Sequence, residues 1–159
     1  IGRALIQDFP DQYAIYKEKY FTYNDIKQPN RNRLLWRDPT VDGIKTGHTE
    51  EAGYCLVSSA VRDDMRLISV VLGTNSDQAR AQESQKLLAY GFRFFRNYPL
   101  YKAGQELNQP KVWKGINDSV SLGLAADLSL TIPRGSENQL AATLDLPEVI
   151  EAPLAAGEV

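Results

Sequence analysis

The residues best suited to chemistry lie in one short run, Val41-Asp42-Gly43-Ile44-Lys45-Thr46-Gly47-His48-Thr49. Lys45 would place a fixed positive charge at a cleft, favouring an anionic substrate and a nearby alkoxide or a partner of depressed pKa. Thr46 adds a hydroxyl that can donate to a carboxylate. Gly47 removes a side chain where a ligand has to lie against the backbone. An exposed strand edge of this kind can pair with an extended peptide. Taken alone, the tripeptide also reads as a strand with one surface lysine and a glycine bulge. His48 follows directly, and a lone histidine is more often structural than catalytic.

These residues need a rigid support, and the flanking sequence reads as one. Val41 to His48 reads as a strand opened by an Asp42-Gly43 turn. Tyr54 to Val61 reads as a buried strand, Arg62-Asp63-Asp64 as a turn, and Met65 to Leu72 as the returning strand of an antiparallel hairpin. From Asp77 to about Phe95, apolar or small residues recur at Ala81, Ser84, Leu87, Leu88, Gly91, Phe94 and Phe95, a helical period. Ser76 suits its N-cap. A helix after an antiparallel sheet covers one face of it, which makes the fold class α+β. Upstream, an amphipathic helix ends at Pro10. Tyr20 to Ile26 reads as a short strand or extended loop, and Gln28-Pro29-Asn30 as the turn that ends it. Cys55, on an apolar strand, reads as a core residue and not a nucleophile.

The 159 residues carry 18 Lys+Arg, 20 Asp+Glu and a net charge of −2, with 43% apolar residues. That allows a sizeable core, and without a basic block it argues against a nucleic-acid partner. One cysteine excludes an internal disulfide framework and a multi-cysteine metal site. No apolar run is long enough for a transmembrane helix. Residues 1–96 carry 14 basic and 12 acidic residues, whereas residues 97–159 carry 4 and 8. Aromatic residues thin out at the same place. Asn97-Tyr98-Pro99 therefore reads as a domain junction, with residues 1–96 as one domain and 97–159 as a second. In the second, Lys111-Val112-Trp113, Val120–Leu124 and Leu128–Pro133 read as short strands of a small all-β module. The chain opens on Ile1 and its only methionine is Met65, so it reads as part of something longer.

Lys-Thr-Gly on a strand is one of three motifs of the penicillin-recognising serine enzymes. Its setting makes the likeness specific: Asn30-Arg31-Asn32-Arg33-Leu34-Leu35-Trp36, the whole Val41–Thr49 run, Ala52-Gly53-Tyr54, Met65–Ser69, Leu87-Leu88, Gly91–Phe95 and Leu130–Gly135. Through these the chain resembles the low-molecular-mass penicillin-binding proteins, D-alanyl-D-alanine carboxypeptidases of the penicillin-binding protein 5/6 type. The resemblance implies the C-terminal half of a serine β-lactamase/transpeptidase-like domain, followed by part of a small β-rich domain that stops after Ala152-Pro153-Leu154.

It also implies site residues. Lys45, Thr46 and Gly47 would form the third cleft motif, with Lys45 catalytic and Thr46 and Gly47 binding substrate. The backbone N–H of His48 would be one oxyanion-hole donor. Arg31 and Arg80 would help hold the substrate carboxylate, a task that suits a planar guanidinium. The nucleophile motif Ser-x-x-Lys is missing: none of Ser58, Ser59, Ser69, Ser76, Ser84, Ser119, Ser121, Ser129 or Ser136 has a lysine three residues on. The second motif, Ser-x-Asn, occurs only as Ser136-Glu137-Asn138, downstream of where the family has it, and reads as coincidence. The serine is therefore expected before Ile1, and this chain alone is expected to be inactive.

The implied activity is removal of terminal D-alanine from peptidoglycan pentapeptides through an acyl-enzyme, with β-lactams acylating the same serine. No metal and no organic cofactor is implied. Expected partners are a stem peptide ending in D-Ala-D-Ala, β-lactam antibiotics, the N-terminal half of the same enzyme, and a membrane surface reached through an anchor not found in these residues. The expected location is the bacterial periplasm, peripheral to the inner membrane. A non-catalytic interaction fragment of the same fold and a serine β-lactamase are the alternatives.

Overall fold

The two largely apolar runs Tyr54–Val61 and Met65–Leu72, with Val41–Thr49 before them, build the central sheet of the computed structural model, which describes residues 1–146, 150–153, 155 and 157. Leu154, the last residue of the stretch where the β-rich domain is expected to stop, lies outside the described residues. The chain divides into two compact units, Ile1–Phe95 and Arg96–Val159. In the first unit, β3 (Val41–Thr49), β4 (Gly53–Arg62) and β5 (Met65–Thr74) form an antiparallel sheet in the order β3-β4-β5. Lys45 lies opposite Val57, Thr46 opposite Leu56, Gly47 opposite Cys55 and His48 opposite Tyr54. Among the described residues the Lys-Thr-Gly run therefore occupies the edge strand of this sheet.

Asp42-Gly43 is not the turn expected from the sequence. Both residues lie inside β3, where the register shifts between Val41 and Gly43. The reason is close packing, since a Cβ on Gly43 would lie 2.7 Å from the Tyr13 hydroxyl. Glycine is needed here for the approach of a ring. At Gly53, φ is +63° and a Cβ would meet the Thr74 carbonyl oxygen at 2.9 Å, so the β3–β4 connection also requires glycine.

Helix α4 (Asp77–Phe94) covers the sheet, and the Ser76 side chain accepts a hydrogen bond from the Ala79 N–H at 3.0 Å, as an N-cap does. Ala81, Leu88 and Phe92 pack with Leu34, Leu35, Val41, Leu56, Ala60 and Met65 in one core. Burying Leu88 and Phe92 contributes about 1.5–3 kcal/mol each. Two residues of the expected apolar stripe lie elsewhere. Leu87 is 50% and Phe94 46% exposed, while Phe92 is buried. The buried stripe runs Ala81, Ser84, Leu88, Phe92, and Leu87 sits about 100° around the helix from Leu88.

Before the sheet come α1 (Gly2–Asp8) and the single turn α2 (Pro10–Tyr13). Pro10 ends the first helix, as expected, and also begins the second, where its missing N–H costs nothing. The aromatic stretch is a two-stranded ribbon, β1 (Tyr20–Tyr23) with β2 (Ile26–Pro29), followed by the one-turn helix α3 (Leu34–Arg37). The turn of the ribbon falls at Asn24-Asp25, with φ of 46° and 59°, and not at Gln28-Pro29-Asn30. Asn and Asp tolerate this left-handed conformation. Pro29 pairs with Tyr20 at the end of the ribbon, where a lost donor is harmless.

The second unit holds only short strands and one-turn segments among its described residues. These strands are β6 (Phe95–Tyr101), β7 (Glu106–Asn108), β8 (Val112–Trp113), β9 (Leu122–Gly123), β10 (Leu128–Pro133) and β11 (Ile150–Glu151). They pair as β6 with β10, β7 with β9 and β8 with β11. Ion pairs Arg96–Glu137 at 3.0 Å, Lys102–Asp127 at 2.8 Å and Lys114–Glu151 reinforce it. Glu137, the middle of Ser136-Glu137-Asn138, is thus held by Arg96. Among the described residues, no helix is long and apolar enough to cross a membrane.

Candidate functional site

A cavity of about 730 Å³ opens in the first unit beside β3, and Arg31, Thr46, Gly47, His48, Tyr54 and Arg80 are among its lining residues. Five of the six residues named from the sequence thus share one space. Lys45 is not in the lining. Strand alternation turns Thr46 and His48 to one face and Lys45 to the other. The Lys45 side chain is exposed, and its Nζ donates to the Thr46 carbonyl at 2.8 Å.

Arg80 reaches this space from the first turn of α4. Although charged, it is only 5% exposed. Its Nη1 donates to the Gly47 carbonyl at 3.1 Å and to the Cys55 carbonyl at 3.4 Å, and its guanidinium lies 5.4 Å from the centre of the Tyr54 ring. These contacts replace lost hydration and tie the helix to the motif strand. His48 stacks on the same ring at 3.9 Å with an interplanar angle of 14°. Its Nδ1 lies 3.1 Å from the Gly53 carbonyl oxygen, which assigns the proton to Nδ1 because a carbonyl only accepts. Cys55 is half-buried and not a core residue: it faces Gly47 near the open end of the sheet, with Sγ 3.5 Å from the Ala52 carbonyl oxygen.

Arg31 comes from the loop before α3. It is exposed and has no hydrogen bond or ion pair among the described residues. Arg33 and Arg37 line the same cavity, and Arg33 is paired with Asp77 at 2.5 Å. The cavity wall therefore carries more positive than negative charge, which suits an anionic ligand.

Behind the motif, a polar cluster holds the start of β3. The Tyr13 hydroxyl donates to Asp42 Oδ1 at 2.6 Å, and Arg66 Nη1 reaches Asp42 Oδ2 at 2.8 Å and Ser59 Oγ at 2.6 Å. Burial, and then the hydrogen bond to Asp42, push the Tyr13 pKa up to about 12. At the same end of the sheet, burial alone would raise the Asp38 pKa. Hydrogen bonds from the Thr40 hydroxyl and N–H and from Arg62 outweigh it and hold the carboxyl below its ordinary value. None of these supports stood out in the sequence; Tyr54 could have been found as the residue opposite His48 in a hairpin register.

Two family models match the chain: D-alanyl-D-alanine carboxypeptidase over residues 1–76 and penicillin-binding protein 5, C-terminal domain, over residues 95–159. The D-alanyl-D-alanine carboxypeptidase DacC of Escherichia coli is 52% identical over 161 residues, which takes in 100% of this chain and 40% of that protein. The chain thus spans about two fifths of the length of the curated relatives it matches. Penicillin-binding protein 5 from Haemophilus influenzae superposes with a TM-score of 0.87 and 47% identity, covering 99% of this chain and 47% of that one. Penicillin-binding protein D2 from Listeria monocytogenes, solved in its cefotaxime-bound form, matches with a TM-score of 0.54 and 34% identity over 57% of this chain and 37% of that one.

Proposed function

The chain belongs to the D-alanyl-D-alanine carboxypeptidase family of the penicillin-binding protein 5 type, and from that premise we propose that it supplies the Lys-Thr-Gly wall of a serine carboxypeptidase cleft. The observation that carries this is the exposed edge strand whose Thr46, Gly47 and His48 border a cavity shared with Arg31 and Arg80.

In this cleft an extended stem peptide ending in D-Ala-D-Ala lies along β3. The Thr46 hydroxyl donates to its terminal carboxylate, and the positive charge of Arg31 and Arg80 favours that anion. Gly47 lets the peptide backbone come close. The His48 N–H polarises the scissile carbonyl as one oxyanion-hole donor. The charge of Lys45, on the other strand face, favours the ionised serine. That serine belongs to residues outside this chain, since no Ser-x-x-Lys occurs within it. It attacks the carbonyl, D-alanine leaves, and water hydrolyses the acyl-enzyme. A β-lactam acylates the same serine, by analogy with the cefotaxime-bound relative.

The partners are accordingly the peptide, β-lactams and the N-terminal half of the enzyme. The protein works in the bacterial periplasm, peripheral to the inner membrane through an anchor outside these residues. The match of residues 95–159 to a penicillin-binding protein 5 C-terminal domain favours a carboxypeptidase over a β-lactamase. The direct test is D-alanine release from a D-Ala-D-Ala-terminated peptide by the full-length protein. Sustained release supports the assignment. A protein that binds the peptide without releasing D-alanine is a non-catalytic interaction module instead.

A further inference from the structure

We propose that Asn30 and Asn32 are positioning residues that lock the turn carrying Arg31 to the strand carrying Lys45 and Thr46, so that one guanidinium and one hydroxyl meet a single carboxylate at a fixed separation. The inference rests on the carboxypeptidase reading above and adds to it two residues that touch no substrate.

Asn32 is 1% exposed, and a polar side chain so buried must find partners at both ends. Its Nδ2 donates to the Gly43 carbonyl at 3.0 Å, and its Oδ1 accepts from the Leu34 N–H at 3.1 Å. The same Gly43 carbonyl accepts from Ser58 Oγ at 3.1 Å, so β3 is held at this point both by β4 and by the Arg31 turn. Gly43 lies two residues before Lys45 and three before Thr46. A shift of the turn against β3 would therefore move Arg31 against both.

Asn30 holds the other side of the turn. Its Oδ1 accepts from the Asn32 N–H at 2.9 Å, and its Nδ2 donates to the Glu18 carbonyl at 3.0 Å and the Tyr16 carbonyl at 3.3 Å. Its own N–H donates to the Lys19 carbonyl at 2.8 Å. Each amide uses a donor and an acceptor, which neither Asp nor Ala can reproduce. Arg31, between them, has no hydrogen bond or ion pair among the described residues. Its backbone is fixed while its charge is left available, the arrangement expected of a preorganised binding group.

The test is a double-mutant cycle in the full-length protein: Asn30→Ala and Asn32→Ala, each alone and combined with Arg31→Ala. KM and kcat for a D-Ala-D-Ala-terminated peptide are measured per site titrated with labelled penicillin, so that loss of folded protein does not enter. Each asparagine variant is expected to raise KM about tenfold with kcat per titrated site within about threefold, as loss of a ground-state contact does. In the Arg31→Ala background, the same substitutions should change KM by less than about twofold, because the group they position is gone. Unchanged KM per titrated site, or effects that multiply as though independent, overturns the inference. Asn30 is less buried than Asn32, so its variant decides the matter if Asn32→Ala does not fold. An unsubstituted protein that neither binds penicillin covalently nor releases D-alanine overturns the carboxypeptidase reading and this inference together. Normal activity with multiplicative effects overturns this inference alone.

Discussion

Arg80 Nη1 lies 3.1 Å from the carbonyl oxygen of Gly47, joining the first turn of α4 to the last residue of the Lys-Thr-Gly motif. The helix that covers the core thus also fixes the backbone of the strand against which a substrate would lie. Replacing Arg80 by Gln removes the charge and the long reach of the guanidinium. Loss of a charge-assisted hydrogen bond of about 1.5–3 kcal/mol predicts a fall in kcat/KM of about 10- to 100-fold for the D-Ala-D-Ala peptide. Unchanged kinetics in a folded Arg80→Gln variant would mean that β3 holds its position without this contact.

Lys45 and Thr46 sit on opposite faces of β3 and should fail differently. Lys45→Ala in the complete enzyme should slow acylation by penicillin about a hundredfold while leaving the melting temperature nearly unchanged, since the side chain is exposed. Thr46→Val keeps the shape but loses the hydroxyl, and should raise KM for the peptide about tenfold. Stopped-flow acylation and steady-state hydrolysis separate the two. Normal acylation by Lys45→Ala removes the catalytic role proposed for it, and normal KM for Thr46→Val leaves that residue structural.

Tyr13, in the cluster behind the motif, titrates in alkali. An unfolded tyrosine has a pKa near 10.0, whereas Tyr13 in the fold is raised to about 12. The unfolded chain therefore loses this proton first as pH rises. The stabilisation from Tyr13 is fully present below the unfolded value and is lost as pH rises through the folded one. Thermal melts between about pH 10 and pH 12 should show a steeper decline for the wild type than for Tyr13→Phe. Parallel curves would show that Tyr13 does not carry the alkaline loss.

Asp38 gives the opposite sign. Its carboxyl is held below the ordinary value by Thr40 and Arg62, against the effect of burial. The unfolded state therefore takes up the proton first as pH falls. Stability from Asp38 is present above the unfolded value and disappears as pH drops through the depressed folded one. Asp38→Asn should be less stable than the wild type near neutral pH, and the gap should close in acid. A gap independent of pH would place its role in packing and not in charge.

The sheet and its helix were legible because their signals are local. Two apolar runs joined by the polar Arg62-Asp63-Asp64 mark β4 and β5, and Ser76 with the helical period after it marks α4. What escaped depends on distant partners. Asp42-Gly43 has the composition of a turn, and only the approach of Tyr13 makes it part of a strand. Arg80 could be picked out by resemblance, but its burial depends on the Gly47 and Cys55 carbonyls and the Tyr54 ring, more than twenty residues away along the chain. Asn30 and Asn32 look like ordinary loop residues beside Pro29. Their importance lies in the Gly43, Glu18 and Tyr16 carbonyls, which no local pattern marks.

Covalent labelling of the intact full-length protein with a fluorescent penicillin, followed by peptide mapping, tests the central claim most directly. The acyl group should be found on a serine outside these 159 residues, and Lys45→Ala should greatly slow its appearance. Label on any serine within this chain, or no label on a protein that carries an intact Ser-x-x-Lys motif, would contradict the claim that this chain forms the Lys-Thr-Gly wall of a shared acylation site.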